Sequence, residues 1–274
     1  MNVETMLQVL HVREHLLAVL LGLPRLLMII QTAPFMGGTM VTGQIRIAVA
    51  LACYVFIHPL LFAQVAVPDV LSAAVLGYFA AIILKECLLG FLIAFLAGML
   101  FWAVQCAGFF IDNQRGASMA SAHDPTSGEE TSPLGSLLFQ CAVYLFFSGG
   151  AFVVFLGLVF AGYELWPVTA FFPTAVFQNM DVPLFFAGCV VRLMTVMALL
   201  AAPIVAACLL TDMALGLINR FASQLNVYVL GMPIKSAIAA FLLCLSLGLL
   251  LGHIQDLFPL IDLDLRALHR LFHE

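Results

Sequence analysis

The most enzyme-like pattern in the chain is His11-Val12-Arg13-Glu14-His15, which formally matches H-x-x-E-H. On a helix two histidines four residues apart share a face and can hold zinc, and the glutamate between them can act as a general base in a peptidase. No clear third ligand accompanies them, so we read the match as a coincidence at the start of a helix. Neither G-x-S-x-G nor a Walker A loop is present; Gly116-Ala117-Ser118-Met119-Ala120 lacks the second glycine. The seven cysteines, at 53, 87, 106, 141, 189, 208 and 244, all lie in apolar stretches without a C-x-x-C. An odd count with irregular spacing argues against both a disulfide framework and a zinc site, leaving small apolar packing residues. The expectation is a protein with no catalytic residues, no metal and no cofactor.

Two polar features remain that can bear function. Lys85-Glu86 interrupts a long apolar run. Neighbours on a helix point about 100° apart, so the two are predicted to reach different partners. Either they form a buried ionic contact between helices, or they line a transport path. With Arg192 and Asp212 they also suit a small-molecule transporter, a rival that predicts activity from the isolated chain in liposomes. The second feature is the longest polar interruption, Gly108–Gly135 (GFFIDNQRGASMASAHDPTSGEETSPLG). Asp112, Asn113, Gln114 and Arg115 are followed by small residues and then by the turn formers Asp124-Pro125, Ser127-Gly128 and Ser132-Pro133. Small side chains let a backbone pass through a narrow space, and irregular backbone at membrane depth is tolerated only where protein covers it or it lines a cavity. Two readings stand: a solvated loop, or a re-entrant segment that occludes a pore. A further stretch, Arg220–Lys235 (RFASQLNVYVLGMPIK), joins the last two apolar runs; Gly231 and Pro233 are predicted to break the chain before Lys235 and a fresh helix.

The elements that must position these residues follow from composition. Of 274 residues, 64% are hydrophobic and only 9% charged, against about 25% charged in soluble domains. Mean hydropathy is +1.14. Most of the surface must therefore meet lipid or other subunits. Net charge is −5 and basic clusters are absent, which excludes nucleic acid as a partner. Apolar runs at Leu16–Pro34, Ile45–Val67, Ser72–Phe110, Leu134–Ala161, Leu184–Leu210 and Val229–Leu251 predict about six helices in an all-α membrane protein. The third run would be roughly 58 Å long as one helix, about twice the hydrocarbon thickness, so either two helices meet at Lys85-Glu86 or one helix projects past the membrane-depth layer. The first run lacks a basic n-region and a convincing cleavage site, and is expected to stay. With the N-terminus outside, Arg46, Arg115, Arg220 and Lys235 fall inside and Arg13, Arg266 and Arg270 outside, too even a split to orient the bundle. The proline- and aromatic-rich connector Tyr163–Pro183 suits an interface, and Ile261, Leu265, Leu268 and Phe272 predict a short amphipathic helix lying on a membrane surface or a partner.

The wording of these stretches closely resembles the FliR/SctT family: FFIDNQRGASMAS, then DP and TSP, then a Leu-rich helix with FFSGGAF (Phe146–Phe152), WPV (Trp166–Val168), FFP (Phe171–Pro173) and LINRFASQLNVYVLGMPIKSAIA (Leu217–Ala239). The likeness runs from about Leu16 to about Leu251. Asn113-Gln114-Arg115-Gly116 and GMPIKS resemble the injectisome branch more than the flagellar one. The resemblance implies a multi-pass subunit of the type III secretion export gate in the bacterial inner membrane, within the basal body. One copy would close a helical ring with two smaller hydrophobic subunits, touch the autocleaving switch subunit and membrane lipid, and pass unfolded secreted polypeptides. Residues of about 1–165 would correspond to the larger of those subunits, and about 184–274, a helical hairpin, to the smaller. The family's plug maps onto Asp112–Ser132, with Asp112, Gln114, Arg115 and Gly116 on the motif and Ser118, Met119, Ser121, Asp124 and Pro125 in the loop. Lys85, Glu86, Arg220, Asn226, Pro233 and Lys235 would be inter-subunit or intramembrane polar contacts.

Overall fold

The computed structural model describes residues 12–37, 42–64, 72–116, 132–170, 181–221 and 227–273. These form helices α1 (Val12–Thr32), α2 (Gly43–Gln64), α3 (Ala73–Gln114), α4 (Pro133–Ser148), α5 (Ala151–Leu165), α6 (Asp181–Phe221), α7 (Val227–Leu257) and α8 (Pro259–His273), with a short 3-10 turn at Pro34–Met36. There is no strand among the described residues. In an apolar surrounding every backbone N–H and C=O must find its partner within the chain, and uninterrupted Leu, Ala and Phe leave the helix as the local solution. The protein is an all-α membrane protein: Val12–Thr32, Gly43–Gln64, Ala73–Gln114, Asp181–Phe221 and Val229–Leu268 are long and apolar enough to cross a bilayer, and the pair α4–α5 makes a sixth if counted as one span.

One open alternative is settled, and two departures from the sequence reading have local causes. The run Ser72–Phe110 is one continuous helix, α3, of 42 residues, roughly 63 Å long; Lys85 and Glu86 do not break it. The run Leu134–Ala161 is not one helix. Gly149 closes α4 by donating its N–H to the Leu145 carbonyl at 2.8 Å, and Gly150 adopts φ 77°, a left-handed turn that ends a helix at little cost only for glycine. Gly231 and Pro233 do not break the chain either: α7 runs from Val227 through both. A proline removes one ladder bond near the helix start, and an apolar surrounding offers the rest of the backbone no alternative partner.

The chain forms two compact units, Met1–Gly98 with Val153–Leu184 and Ile261–Glu274, and Met99–Phe152 with Phe185–Leu260. In the first unit α1 packs along α2, where Gly22 lets Leu61 and Tyr54 come close. The core is built from Leu21, Leu26, Ile57, Leu61, Ile82 and Phe155, with Phe35 edge-on to Phe155 at 5.4 Å. Helix α8 is amphipathic as predicted, with Asp262 and Arg266 paired at 2.7 Å. On its apolar face Ile261 and Leu268 are buried within the chain, and Leu265 is half-buried. In the second unit Phe101 and Phe146 meet edge-on at 5.2 Å, with Phe258 5.5 Å from Phe146.

Burial divides the helices. In α3 67% of the most apolar stretch is buried, against 22% in α2, 28% in α6 and 22% in Val229–Leu268. Phe56, Leu199, Phe221 and Leu249 are exposed. Exposed apolar surface on this scale requires lipid or other subunits.

Candidate functional site

The second unit brings together both ends of the polar stretch. Helix α3 and helix α4 touch backbone to backbone: a Cβ on Gly108 would stand 2.5 Å from Gly135 N and 2.6 Å from its Cα, so only glycine fits. One turn further along α3 lies Asp112, only 3% exposed. Its Oδ1 accepts a hydrogen bond from Arg115 Nε at 2.7 Å and lies 2.7 Å from a terminal nitrogen of the same guanidinium. Its Oδ2 accepts from Ser132 Oγ at 2.6 Å and from the Leu134 N–H at 3.0 Å. Ser132 in turn caps α4, its Oγ accepting from the Gly135 N–H at 2.9 Å. One carboxylate thus satisfies an arginine, a hydroxyl and a helix N-terminus whose first N–H groups otherwise lack partners. The outgoing and returning ends of the loop are tied at this point.

Beyond Gln114, the half-exposed last residue of α3, the chain turns at Gly116, whose φ is 79°. Gly116 lies against Met232 of α7: a Cβ there would sit 3.3 Å from Met232 Cγ. The motif at the end of α3 and the GMPIK stretch are therefore neighbours. Lys235 pairs with Asp212 of α6 at 3.0 Å within this chain. Arg220 and Pro233 are exposed on α6 and α7. Ser118, Met119, Ser121, Asp124, Pro125 and Asn226 lie outside the described residues.

Lys85 and Glu86 belong to the first unit, and there the sequence reading needs correction. They contact each other, Lys85 Nζ to Glu86 Oε1 at 2.8 Å, because the long lysine stem bends across the 100° between adjacent positions. Glu86 also takes a two-pronged bond from Arg25, Nε to Oε2 at 2.7 Å and a terminal nitrogen to Oε1 at 2.9 Å. Arg25 is fully buried, stacks 4.1 Å over the Tyr163 ring and donates to the carbonyls of Gly162 and Trp166, both at 2.9 Å. Lys85 donates to the carbonyls of Pro167, Val168 and Ala170 at 3.2, 2.8 and 2.7 Å. Two cations against one anion leave an excess positive charge, which backbone carbonyls after α5 stabilise. The group is an ionic keystone between α1, α3 and the chain at and just after α5. Sequence reasoning missed Arg25. Its signal was present: a basic residue amid an apolar run demands a buried acid, and Glu86 was the one mid-run candidate.

Of the H-x-x-E-H pattern, His11 lies outside the described residues. His15 stacks on Phe62 at 4.5 Å and its Nδ1 is 2.9 Å from His58 Nε2. Among the described residues no group of three or more His, Cys, Asp or Glu could hold a metal ion.

Comparison with known proteins adds an independent line. The model of the family described as Bacterial export proteins, family 1, matches residues 16–260. Yop proteins translocation protein T of Yersinia pestis is 47% identical over 169 residues, 62% of this chain and 64% of that relative, so the match spans just under two thirds of its length. Surface presentation of antigens protein SpaR of Salmonella typhimurium is 30% identical over 234 residues, 85% of this chain and 84% of the relative. Flagellar biosynthetic protein FliR of Bacillus subtilis is 28% identical over 229 residues, 84% of this chain and 85% of the relative.

Proposed function

The chain belongs to the bacterial export proteins, family 1, and from that premise we propose that it is a pore-forming subunit of a type III secretion export apparatus in the bacterial inner membrane. It carries out no bond chemistry. Together with two smaller hydrophobic subunits, and in contact with the autocleaving switch subunit, it walls a conduit for unfolded polypeptide. Its portions of about 1–165 and 184–274 stand in for one copy of each smaller subunit. The loop between α3 and α4 acts as a plug that blocks the conduit at rest and moves aside for cargo.

The observation that carries this reading is the tie at Asp112. A plug must be long enough to cross a channel while its ends stay put. Asp112 gathers Arg115, Ser132 and the start of α4, and Gly108 against Gly135 locks the two helices below it. Most of the intervening residues are small or turn-forming, with Asp124, Glu129 and Glu130 the only charged ones, which suits a segment that must not grip diverse cargo. The greater identity to the Yersinia translocation protein than to the flagellar relative favours the injectisome side. A secondary transporter needs charges that face a cavity; Lys85 and Glu86 are buried and engaged by each other, by Arg25 and by carbonyls, which favours a structural role for them.

The test is removal of Ala117–Thr131 in cells that build the whole apparatus. Small-solute leakage with normal assembly is expected. Normal assembly without leakage rules the plug out.

A further inference from the structure

The chain just after α5 is irregular backbone, and each carbonyl from Trp166 to Ala170 is held by a side chain. Arg25 donates to that of Trp166 at 2.9 Å, Lys85 to those of Pro167, Val168 and Ala170, and Tyr78 Oη to that of Thr169 at 3.2 Å. Backbone that has left a helix at membrane depth needs such cover. Its depth follows from α1. That helix has 21 residues and is roughly 32 Å long, about the thickness of the hydrocarbon core. The end of α5 is tied to the middle of it: Tyr163 Oη donates to the Gly22 carbonyl at 2.8 Å, and Arg25 donates to the Gly162 carbonyl at 2.9 Å. Helix α5 therefore ends level with the centre of an apolar span.

A charged residue at that level is left unused by the fold. Glu164 is exposed, and it has no hydrogen-bond or ion-pair partner among the described residues. Phe155, Val159 and Tyr163 form the buried face of α5. Val153, Gly157, Ala161 and Glu164 follow one another on the opposite face. There Val153 is exposed, Ala161 is half-buried, and a Cβ on Gly157 would meet nothing. Lipid does not suit this face: an ionised carboxylate in hydrocarbon is costly, and at the C-terminal end of a helix the carbonyls repel it as well. Open water does not suit it either, since Val153, Val154 and Leu165 are exposed with it. An apolar helix carrying one lysine or arginine level with Glu164 satisfies both, and the small residues let its backbone come close.

We infer that the outer face of α5 is a docking face for a helix of a neighbouring subunit, and that Glu164 binds a lysine or arginine on that helix. The inference rests on the reading of the chain as one subunit of a larger apparatus, and it names where and by what chemistry a neighbour attaches. The keystone of Arg25, Glu86 and Lys85 fixes both the end of α5 and the chain beyond it, so Glu164 is presented at a set depth. A carboxylate–cation pair within an apolar contact gives register as well as attraction, because sliding the partner by one turn strands both charges.

The whole apparatus, extracted in mild detergent, supplies the test. Glu164→Lys sets a cation against a cation and should lower recovery of a neighbouring hydrophobic subunit several-fold, with the variant chain still present in the membrane. If that chain does not accumulate, Glu164→Gln, of nearly the same shape, carries the same expectation. A photo-crosslinker at Ala161, one turn away on the same face, should capture a peptide of that subunit that contains a lysine or arginine. Changing that captured residue to glutamate should restore recovery of the Glu164→Lys complex. Unchanged recovery in Glu164→Lys, or in Glu164→Gln where the lysine variant does not accumulate, overturns the docking face. So does capture from Ala161 of no subunit, of lipid or cargo alone, or of a peptide without a basic residue, and so does a charge exchange that restores nothing. An unmodified chain that travels with no other protein overturns the larger-apparatus reading and the docking face together. Neighbours that travel with the chain whatever stands at 164 remove the docking face alone.

Discussion

A single carboxylate and a single guanidinium carry much of the polar organisation. Arg25 and Glu86, both without exposed side-chain surface, sit 61 residues apart in sequence. Removing one member of a buried pair typically costs about 3–5 kcal/mol, since the partner is left charged and unpaired. Glu86→Gln should therefore abolish accumulation of folded subunit, measurable as loss of the assembled complex and a lowered melting temperature. Lys85→Met in the same background should recover part of the loss by removing one stranded cation. Arg25→Lys should fail too, since an ammonium reproduces neither the two-pronged bond to Glu86 nor the stack on Tyr163. Asp112→Asn belongs to another class. It keeps one acceptor oxygen for Ser132 and the α4 N-terminus but turns an NH2 donor toward Arg115 in place of the charged oxygen, so we expect assembly to persist with raised leakage.

At the scale of elements, close helix contacts depend on glycines that differ in kind. Gly108 meets the backbone of Gly135, and Gly108→Val should separate α3 from α4, destabilising the subunit by roughly 1–3 kcal/mol as overpacking does. Gly150 has open space around it but a φ of 77°, so Gly150→Ala should cost only about 1–2 kcal/mol, all of it backbone strain. Comparing the melting temperatures of the two variants separates collision from strain. The elements were also where the sequence was most and least legible. Apolar run lengths placed the helices, because in such a chain length alone separates helix from strand. The bend at Ser148-Gly149-Gly150 was missed because three small residues barely lower the average over a long apolar run, although Ser-Gly and Gly-Gly are themselves turn signals. The break expected at Gly231 and Pro233 did not occur: Pro233 removes a single ladder bond in the second turn of α7, and the apolar surrounding keeps the remaining backbone groups paired within the helix. The pairings Arg25–Glu86, Asp112–Ser132 and Gly116–Met232 are tertiary. Periodicity has no access to them, although an arginine in an apolar run and an aspartate at a helix end announce that some partner exists.

For the whole molecule, exposed leucines, phenylalanines and valines along α2, α6 and α7 describe a part whose surroundings complete it. Purified alone, the chain should aggregate outside detergent; extracted gently, it should travel with two smaller hydrophobic proteins, as mass measurement of the intact complex would reveal. Function from the isolated chain in liposomes would contradict that account. The central claim concerns the loop between α3 and α4, and it is tested most directly by stalling an exported polypeptide in the apparatus with a photo-crosslinker placed at Ser121, and in a separate strain at Leu249, exposed on α7. The account predicts crosslinks to cargo from Ser121 and none from Leu249. Cargo captured from Leu249 but never from Ser121 would contradict it.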